Sequence, residues 1–315
     1  MTALAPLTPL LAMSDAGVVL LAALGGALSL STPYLLVSLG ECLTERSGRV
    51  NLGLEGTLIL GAVAAYATAY ATGSPWLGVL AAGLSGLPLG LLHGALCSLP
   101  RVNHIAVGFA LMVFGVGLAI YLGKPLIQPQ APTLPVLELG AWSAEPAVRS
   151  ALRVNVLFLL AVALAPALWL WLRHGRGGLT LRTLGESEPA ARALGFAVVR
   201  TRILATMAGG FLAGLGGAYL SLYNPGVWNE GLSQGQGLMA VALVIFARWS
   251  PLGCLAASLL FGAAVAVGPA LQSVGVSRGH QLFAGLPALL TLLILVAASS
   301  PKRELAGAPG ELSLD

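Results

Sequence analysis

Charged residues are scarce in this 315-residue sequence: Asp, Glu, Lys and Arg together make up 9% of it, hydrophobic residues make up 57%, and the mean hydropathy is +0.88. Soluble domains carry a polar surface and average about 25% charged residues. The composition therefore excludes a soluble globular fold and indicates a protein with several membrane-spanning segments.

The sequence also lacks the alternation of apolar and polar residues that an outer-membrane β-barrel requires. Its Leu, Ala, Val and Gly residues form continuous runs instead. Because backbone amides in a bilayer have no water to bond, such runs must be helical, and we predict an all-α membrane protein. The small-residue spacings Gly90–Gly94 and Gly210–Gly214 favour close helix packing.

Only three cysteines occur, Cys42, Cys97 and Cys254, and neither they nor the four histidines have the spacing of a metal site. There is no GxxxxGK(S/T) phosphate loop, so the chain does not bind ATP by that route. Basic residues are few and scattered over short segments, which is typical of orientation signals and not of a nucleic-acid surface. We expect no metal, no cofactor and no nucleic acid for this chain.

Charge-free windows long enough to cross about 30 Å of hydrocarbon predict nine transmembrane segments in a single domain over residues 1–315. The seventh is short, so we expect it to be tilted or re-entrant. The nine segments lie at about residues 17–40, 56–73, 76–99, 105–123, 154–172, 203–223, 237–249, 252–275 and 281–298.

The distribution of Lys and Arg predicts the orientation. Twelve of the 16 basic residues fall in 41–55, 100–104, 173–202, 248–250 and the tail after 299, which alternate with the other connections. The positive-inside rule places these on the cytoplasmic side, with an extracytoplasmic N-terminus and a cytoplasmic C-terminus. The Pro-rich segment 124–153 then forms an extracytoplasmic cap or docking surface.

The highest density of charge lies in residues 39–56, between two apolar runs. A charged residue at the bilayer centre costs about 2.5 to 3.5 kcal/mol on insertion scales, so a chain that keeps several here is expected to use them. Two interpretations stay open on spacing alone: a plain cytoplasmic loop, or a broken-helix element of a substrate pathway. The charged residues are Glu41, Glu45, Arg46, Arg49 and Glu55.

Local signals in this stretch predict a helix, an interruption and a second helix. Asn51 precedes the second helix and is placed to cap it, while Glu55 falls in its first turn, where the helix dipole favours an anion. Glu45 and Arg49 have the i, i+4 spacing of a helical ion pair, but Gly48 between them favours a break.

Two further stretches are candidates for contact with a solute or a partner. Asn103 and His104 stand at the start of the fourth predicted span, a place more typical of an interfacial anchor than of a solute ligand. Residues 173–202 form the only long basic segment, in which Ser187 caps and Gly195 ends a short predicted helix. Such a helix is suited to receive force from a cytoplasmic partner, although an ordinary solvated loop stays open.

Five segments together carry a resemblance to a known family. They fall in order from the first to the eighth predicted span, so the resemblance covers nearly the whole chain. The segments are ECLTERSGRVNLGLEG (41–56), NHIAVG (103–108), GLTLRTLGESEPAARALG (178–195), AGGFLAGLGGAYLSL (208–222) and IFARWSPLG (245–253). The sequence resembles the permease subunits of type II ABC importers for nucleosides and simple sugars, relatives of the branched-chain amino-acid and ribose permeases.

The resemblance implies a bacterial inner-membrane assembly. It implies a second homologous permease, two cytoplasmic ATPase subunits that bind ATP and Mg²⁺, and an extracytoplasmic solute-binding lipoprotein; this chain itself is then not an enzyme. It implies a coupling element to the ATPases formed by Glu186, Ser187, Glu188, Ala191, Arg192 and Gly195. It places near the substrate pathway Asn51, Glu55 and Asn103, to which we add Glu41 and Glu45.

The alternative is an ion-coupled secondary transporter of a small polar solute. That mechanism needs Glu41, Glu45 or Glu55 to titrate within the membrane. It is weakened because the other predicted spans have no acid or histidine near their middle, where proton or sodium coupling usually requires one.

Overall fold

The computed structural model describes residues 15–127, 129–273, 285, 289 and 307–313. These residues form eleven α-helices, two three-residue strands and two 3-10 turns. The helices are α1 (Asp15–Glu45), α2 (Leu54–Thr72), α3 (Pro75–Leu96), α4 (His104–Gly123), α5 (Pro146–Ala151), α6 (Val156–His174), α7 (Arg176–Glu186), α8 (Glu188–Ala193), α9 (Val198–Leu222), α10 (Gln236–Phe246) and α11 (Pro251–Ser273). The strands β1 (Val136–Glu138) and β2 (Arg153–Asn155) pair antiparallel, and the 3-10 turns are Lys124–Leu126 and Gly310–Ser313.

Seven helices in the described ranges are long and apolar enough to cross a membrane, and they correspond to predicted segments one to six and eight. They are α1 from Val19, α2, α3, α4 with the 3-10 turn that follows it, α6, α9 and α11. The predicted segment at 281–298 lies outside the described residues. The chain is therefore an all-α, multi-pass membrane protein as predicted, while the total of nine segments stays a prediction.

The first helix extends further than the sequence predicts. α1 continues for 31 residues to Glu45, although its apolar run ends near residue 40. Glu41 and Glu45 therefore lie in the helix and not in the interruption, which comprises residues 46–53 and is called the connector here. Gly48 in the connector has a φ of +80°, the left-handed conformation that glycine adopts without strain, so the predicted break is confirmed.

The predicted seventh segment is a short helix, as expected. α10 has 11 residues and rises about 16 Å, roughly half of the hydrocarbon thickness. It begins beside Glu55 in the first turn of α2 and ends near Trp249, which contacts Glu45 at the end of α1. α10 therefore runs between the start of α2 and the end of α1, and residues 223–235 lead from α9 to its buried beginning.

α9 is the central helix of the bundle. In an 18-residue apolar stretch of this helix, 72% of the residues are buried, and the helix packs against α1, α2 and α3. A Cβ on Gly86 would lie 1.9 Å from the carbonyl oxygen of Gly210, and one on Gly90 would lie 2.4 Å from that of Thr206. Larger side chains at these glycines would push α3 away from α9, so the predicted close packing at the small residues is confirmed.

The described residues of the range 124–155 form a cap over one end of the bundle. β1, β2 and α5 lie in it, so the chain contains a small sheet that the all-α prediction omits. The Tyr66 hydroxyl donates to the Pro129 carbonyl at 2.9 Å, and the Leu134 amide donates to the Leu222 carbonyl at 2.8 Å. These bonds tie the cap to α2 and α9. The opposite end, with the connector, α7 and α8, is called the connector end.

Candidate functional site

Glu41 and Glu45 lie one turn apart on α1, and both are buried. One carboxylate oxygen of Glu41 accepts a hydrogen bond from the Asn51 amide at 2.6 Å, and its other oxygen is buried without a partner among the described residues. Glu45 accepts a hydrogen bond from Nε1 of Trp249. The two acids therefore hold the connector and the turn between α10 and α11 against the end of α1.

The turn that carries Trp249 is strained and held from two sides. Arg248 and Trp249 both have a positive φ, +51° and +53°, which is uncommon for residues with a side chain. Besides the indole bond to Glu45, the Trp249 carbonyl accepts a hydrogen bond from Nε of Arg46 at 2.8 Å. Strained backbone persists where neighbouring contacts over-determine it, and here α1 and the connector supply those contacts.

Asn51 is buried but does not cap α2 as the sequence predicts. Its side-chain oxygen accepts a hydrogen bond from the Gly53 amide at 2.9 Å, which closes the turn before the helix. The N-cap residue is Gly53 itself, without a side-chain bond, because α2 begins at Leu54 and an N-cap must directly precede the first helical residue. Asn51 thus shapes the connector.

Glu55 lies in the first turn of α2 as predicted, but its carboxylate binds a different helix. It is buried and accepts hydrogen bonds from the Ser233 hydroxyl and from the amides of Gly235, Gly237 and Leu238, the last three at 3.2, 2.6 and 3.3 Å. These donors surround the beginning of α10, whose dipole favours an anion there. Glu55 therefore anchors the short helix. Gly235, which precedes α10, and Gly237 in its first turn are the sequence signal for this close approach.

Asn103 lies at the surface and caps α4, because its side-chain oxygen accepts a hydrogen bond from the Ala106 amide at 3.0 Å. The neighbouring His104 is buried, and its Nδ1 accepts a hydrogen bond from the Val50 amide of the connector at 3.4 Å. The start of α4 is thus joined to the connector through His104, which sequence reasoning ranked with Asn103 as an anchor.

A cavity of about 420 Å³ lies beside these groups. It is lined mostly by apolar residues of the connector, α10 and the C-terminal segment 307–313. Among the five predicted pathway residues, only Glu45 lines it. The lining residues are Glu45, Val50, Leu52, Leu238, Val241, Ala242, Ile245, Trp249, Ala308 and Leu312.

The basic segment 173–202 contains two helices, α7 and α8, between the end of α6 and the start of α9. α8 begins after Ser187, whose hydroxyl accepts a hydrogen bond from the Ala190 amide at 3.3 Å, and the chain turns at Gly195 with a φ of +79°. The predicted short helix is therefore confirmed. α7 was not predicted, although Gly178, Leu181 and Leu184 bury one of its faces at helical spacing.

One predicted coupling residue, Glu188, is joined to the connector by Arg202 at the start of α9. This arginine is buried; its Nε donates to the Ser47 carbonyl at 3.0 Å, and its two terminal nitrogens contact Glu188 and Glu311. Glu311, in the C-terminal segment, also accepts a hydrogen bond from the Glu188 amide at 2.6 Å. Sequence reasoning missed both residues: only an arginine at the start of an apolar helix signalled Arg202, and no pattern signalled Glu311.

Glu188 is the most strongly paired acid of this end. It accepts hydrogen bonds from Arg192 at 2.7 and 2.9 Å in addition to its contact with Arg202. Burial alone would raise the pKa of the Glu188 carboxyl, but the hydrogen bonds from the two arginines outweigh it and lower the pKa. Of the other predicted coupling residues, Glu186 is exposed at the end of α7 and Ala191 is buried beside Leu184.

Comparison with known proteins gives similarity over most of the chain. Residues 16–298 match the family model described as branched-chain amino acid transport system / permease component. The chain is similar to a putative glucose ABC transporter permease protein of Haloferax volcanii, with 34% identity over 76% of this chain and 74% of that protein. It is also similar to a nucleoside ABC transporter permease protein of Lactococcus lactis and a guanosine ABC transporter permease protein of Bacillus subtilis, each with 31% identity over 74% of this chain and 77% of the relative.

Proposed function

We propose that this chain, which belongs to the family of branched-chain amino acid transport system permease components, is the transmembrane permease subunit of an ABC importer for nucleosides or simple sugars. Relatives named for glucose, nucleosides and guanosine support this substrate class, since all are uncharged, polar ring compounds. ATP and Mg²⁺ bind to separate ATPase subunits in this proposal, and the chain itself carries no catalytic step.

The proposed assembly lies in the bacterial inner membrane. The connector end faces the cytoplasm, where α7 and α8 contact the ATPase subunits, and the cap faces outward, where it receives a solute-binding lipoprotein. A second, homologous permease completes the pathway. The excess of basic residues on the connector side supports this orientation.

The observation that carries the proposal is the path of contacts from α8 to the connector. Glu188 on α8 binds Arg202, and Arg202 donates to the Ser47 carbonyl in the connector. A movement of α8 that follows ATP binding in the partner subunits is therefore transmitted to residues 46–53. Alternating access needs such a link between the site of ATPase contact and the substrate pathway.

The movement then reaches α10 through Glu55. The connector leads directly into the first turn of α2, where Glu55 holds the beginning of α10 by hydrogen bonds to Gly235, Gly237 and Leu238. A short helix that begins inside the bundle can tilt without moving a complete span. We therefore assign Glu41, Glu45, Asn51 and Glu55 to the moving wall of the pathway, and Asn103 to the adjacent start of α4.

A second candidate function, an ion-coupled secondary transporter, is favoured by one observation. Glu41 is buried and one of its carboxylate oxygens has no partner among the described residues. An acid with an unsatisfied oxygen within a membrane helix is a candidate proton or sodium site. This function predicts solute uptake by the isolated chain under an ion gradient.

Reconstitution separates the two functions. The chain is incorporated into liposomes with its partner permease, ATPases and binding protein, and ATP hydrolysis and uptake are measured with a panel of nucleosides and pentoses. We expect stimulation by members of the panel and no uptake by the isolated chain under proton or sodium gradients. Gradient-driven uptake by the isolated chain would refute the importer.

A coupling-residue variant sharpens this test. Arg192→Glu reverses an exposed charge on α8, so we expect assembly to persist while solute moved per ATP hydrolysed falls several-fold. Arg200→Glu makes the same change at an exposed position of α9 and serves as the matched control. Equal transport per ATP in the two variants would contradict the role of α8 in coupling.

A further inference from the structure

Three arginines converge on one cavity at the connector end. The cavity has a volume of about 230 Å³, and its lining includes Arg46 of the connector, Arg173 at the end of α6 and Arg182 of α7. No carboxylate of the described residues lines it. Since a water molecule takes about 30 Å³ of liquid volume, the space admits several waters or a phosphate group.

The hydrogen bonds that these arginines make do not neutralise their charge. Arg46 donates to the Trp249 carbonyl at 2.8 Å and Arg182 to the Arg173 carbonyl at 3.5 Å, so both acceptors are neutral. Nε of Arg182 is buried without a partner among the described residues. Arg173 lies 5.2 Å from the ring centre of Trp169. Three guanidinium groups thus share one cavity, and an anion placed there would meet several unused N–H donors.

The position of the cavity relative to the membrane indicates which anion. It lies where the spanning parts of α1 and α6 end, at Glu45 and His174, and where α11 begins at Pro251. Trp169 and Trp249 line it as well, and tryptophan is enriched at the level of lipid headgroups. Basic cavities between membrane helices at this depth suit the headgroups of anionic lipids.

We propose that Arg46, Arg173 and Arg182 form a binding site for the phosphodiester headgroup of an anionic phospholipid. Arg182 and Arg46 donate guanidinium N–H groups to the phosphate oxygens, and Arg173 covers the opening from the lipid side. The bound headgroup joins α6 and α7 to the turn between α10 and α11. Because α7 precedes α8 directly, the lipid steadies the base of the α7–α8 pair.

Lipid retention by the full-length chain tests the site. The chain is purified, stripped of lipid and titrated with phosphatidylglycerol or phosphatidylcholine, and bound lipid is counted by native mass spectrometry. We expect preferential binding of phosphatidylglycerol. Removal of one arginine should lower the affinity for this lipid about five-fold, and removal of two should lower it further. The test variant is Arg173→Gln/Arg182→Gln, and the matched control is Arg176→Gln/Arg200→Gln, two exposed arginines of the same end.

The single variant Arg173→Gln guards against a folding defect, because this side chain is exposed and donates no described hydrogen bond. It should lower phosphatidylglycerol binding while its thermal unfolding in phosphatidylcholine matches that of the control. Equal phosphatidylglycerol binding by the test and control double variants would overturn the proposal.

Two further measurements test whether the arginines bind a soluble anion or a protein instead of a lipid. If inorganic phosphate alone binds as well as the lipid and displaces it, the site takes a soluble anion and the lipid assignment is wrong. If the double variant retains lipid but no longer associates with ATPase subunits, the arginines form a protein contact and the proposal fails. Neither result would alter the transport function, which is measured separately.

Discussion

The acids around α10 and the acid of α8 are stabilised in different ways. Glu55 is bound by a hydroxyl and three backbone amides, and Glu45 by an indole. Glu188, at the connector end, is bound by Arg192 and Arg202. The partners of the buried acids Glu45 and Glu55 are dipoles and neutral donors, whereas those of the partly exposed Glu188 are opposite charges.

The difference follows from the cost of burying charge. A second full charge beside Glu55 would add its own desolvation penalty, while the beginning of a helix offers a positive potential from groups that are buried in any case. At the connector end, water solvates part of the Glu188 and Glu311 side chains, so an ion-pair network costs less. Three predictions test whether the two arrangements differ in strength as this reasoning implies.

The largest effect is expected for Glu55→Ala. It leaves the Ser233 hydroxyl and the amides at the start of α10 without their acceptor in a buried setting, where a hydrogen bond to a charged group contributes about 1.5 to 3 kcal/mol. We expect the free energy of unfolding to fall by about 3 kcal/mol or more. The measurement is the thermal unfolding midpoint of the purified chain.

Glu230→Ala is the control, because Glu230 is exposed shortly before α10. It should change the free energy of unfolding by less than about 0.5 kcal/mol. If both variants unfold at the same temperature, Glu55 does not anchor α10.

A smaller effect is expected for Arg202→Met, which keeps the apolar stem and removes the charge. Breaking a buried ion pair costs about 3 to 5 kcal/mol, but water can solvate the released carboxylates, so we expect about 2 kcal/mol. The side chains of Glu188 and Glu311 are 25% and 17% exposed. Chemical unfolding measures the change.

Arg202→Lys sharpens the same comparison. Lysine keeps the charge but lacks the planar guanidinium that reaches Ser47, Glu188 and Glu311 together. The free energy of unfolding of this variant should therefore lie between those of the wild type and Arg202→Met. Arg200→Met, at an exposed position of α9, is the control. Equal stability of the Lys variant and the wild type would show that charge alone matters here.

The smallest effect concerns pH and Glu188. Its pKa in the folded chain lies below the ordinary 4.5, so the unfolded chain binds more protons in acid. The resulting stability is fully present above about pH 4.5 and is lost as the pH falls through the lowered folded pKa. Glu188→Gln removes this contribution, which we expect to be below about 1 kcal/mol, as for partly exposed ion pairs.

Unfolding midpoints measured from pH 7 downward check this. The wild type should lose more stability in acid than Glu188→Gln, and Arg200→Gln should follow the wild type because it removes a charge of the same end without contacting Glu188. Parallel curves for the wild type and Glu188→Gln would contradict the assigned pairing.

Local patterns predicted those parts of the site that depend on neighbours in sequence. Ser187 and Gly195 bound α8 as expected, because capping and helix termination involve residues within a few positions. The break at Gly48 followed for the same reason. The assignment of Asn51 as the cap of α2 was wrong, since the helix starts at Leu54 and Asn51 instead contacts Glu41 and the Gly53 amide.

Long-range partners could not be predicted in this way. Glu55 and Gly237 are 182 positions apart, and Arg202 and Glu311 are 109 apart, so no helical or strand spacing relates them. The three arginines of the lipid site likewise come from separate elements. Each is an ordinary residue of its own segment until the bundle packs.

The sequence by itself determined that this is an all-α, multi-pass membrane protein, and it determined which helices are long and which one is short. It did so because lipid forbids unpaired backbone and exposed charge, and both constraints act along the chain. Only the tertiary structure decided that Glu55 binds the beginning of α10 and not the amides of its own helix, and that Arg202 joins α8 to the connector. Those choices depend on which helix ends and charges meet after packing.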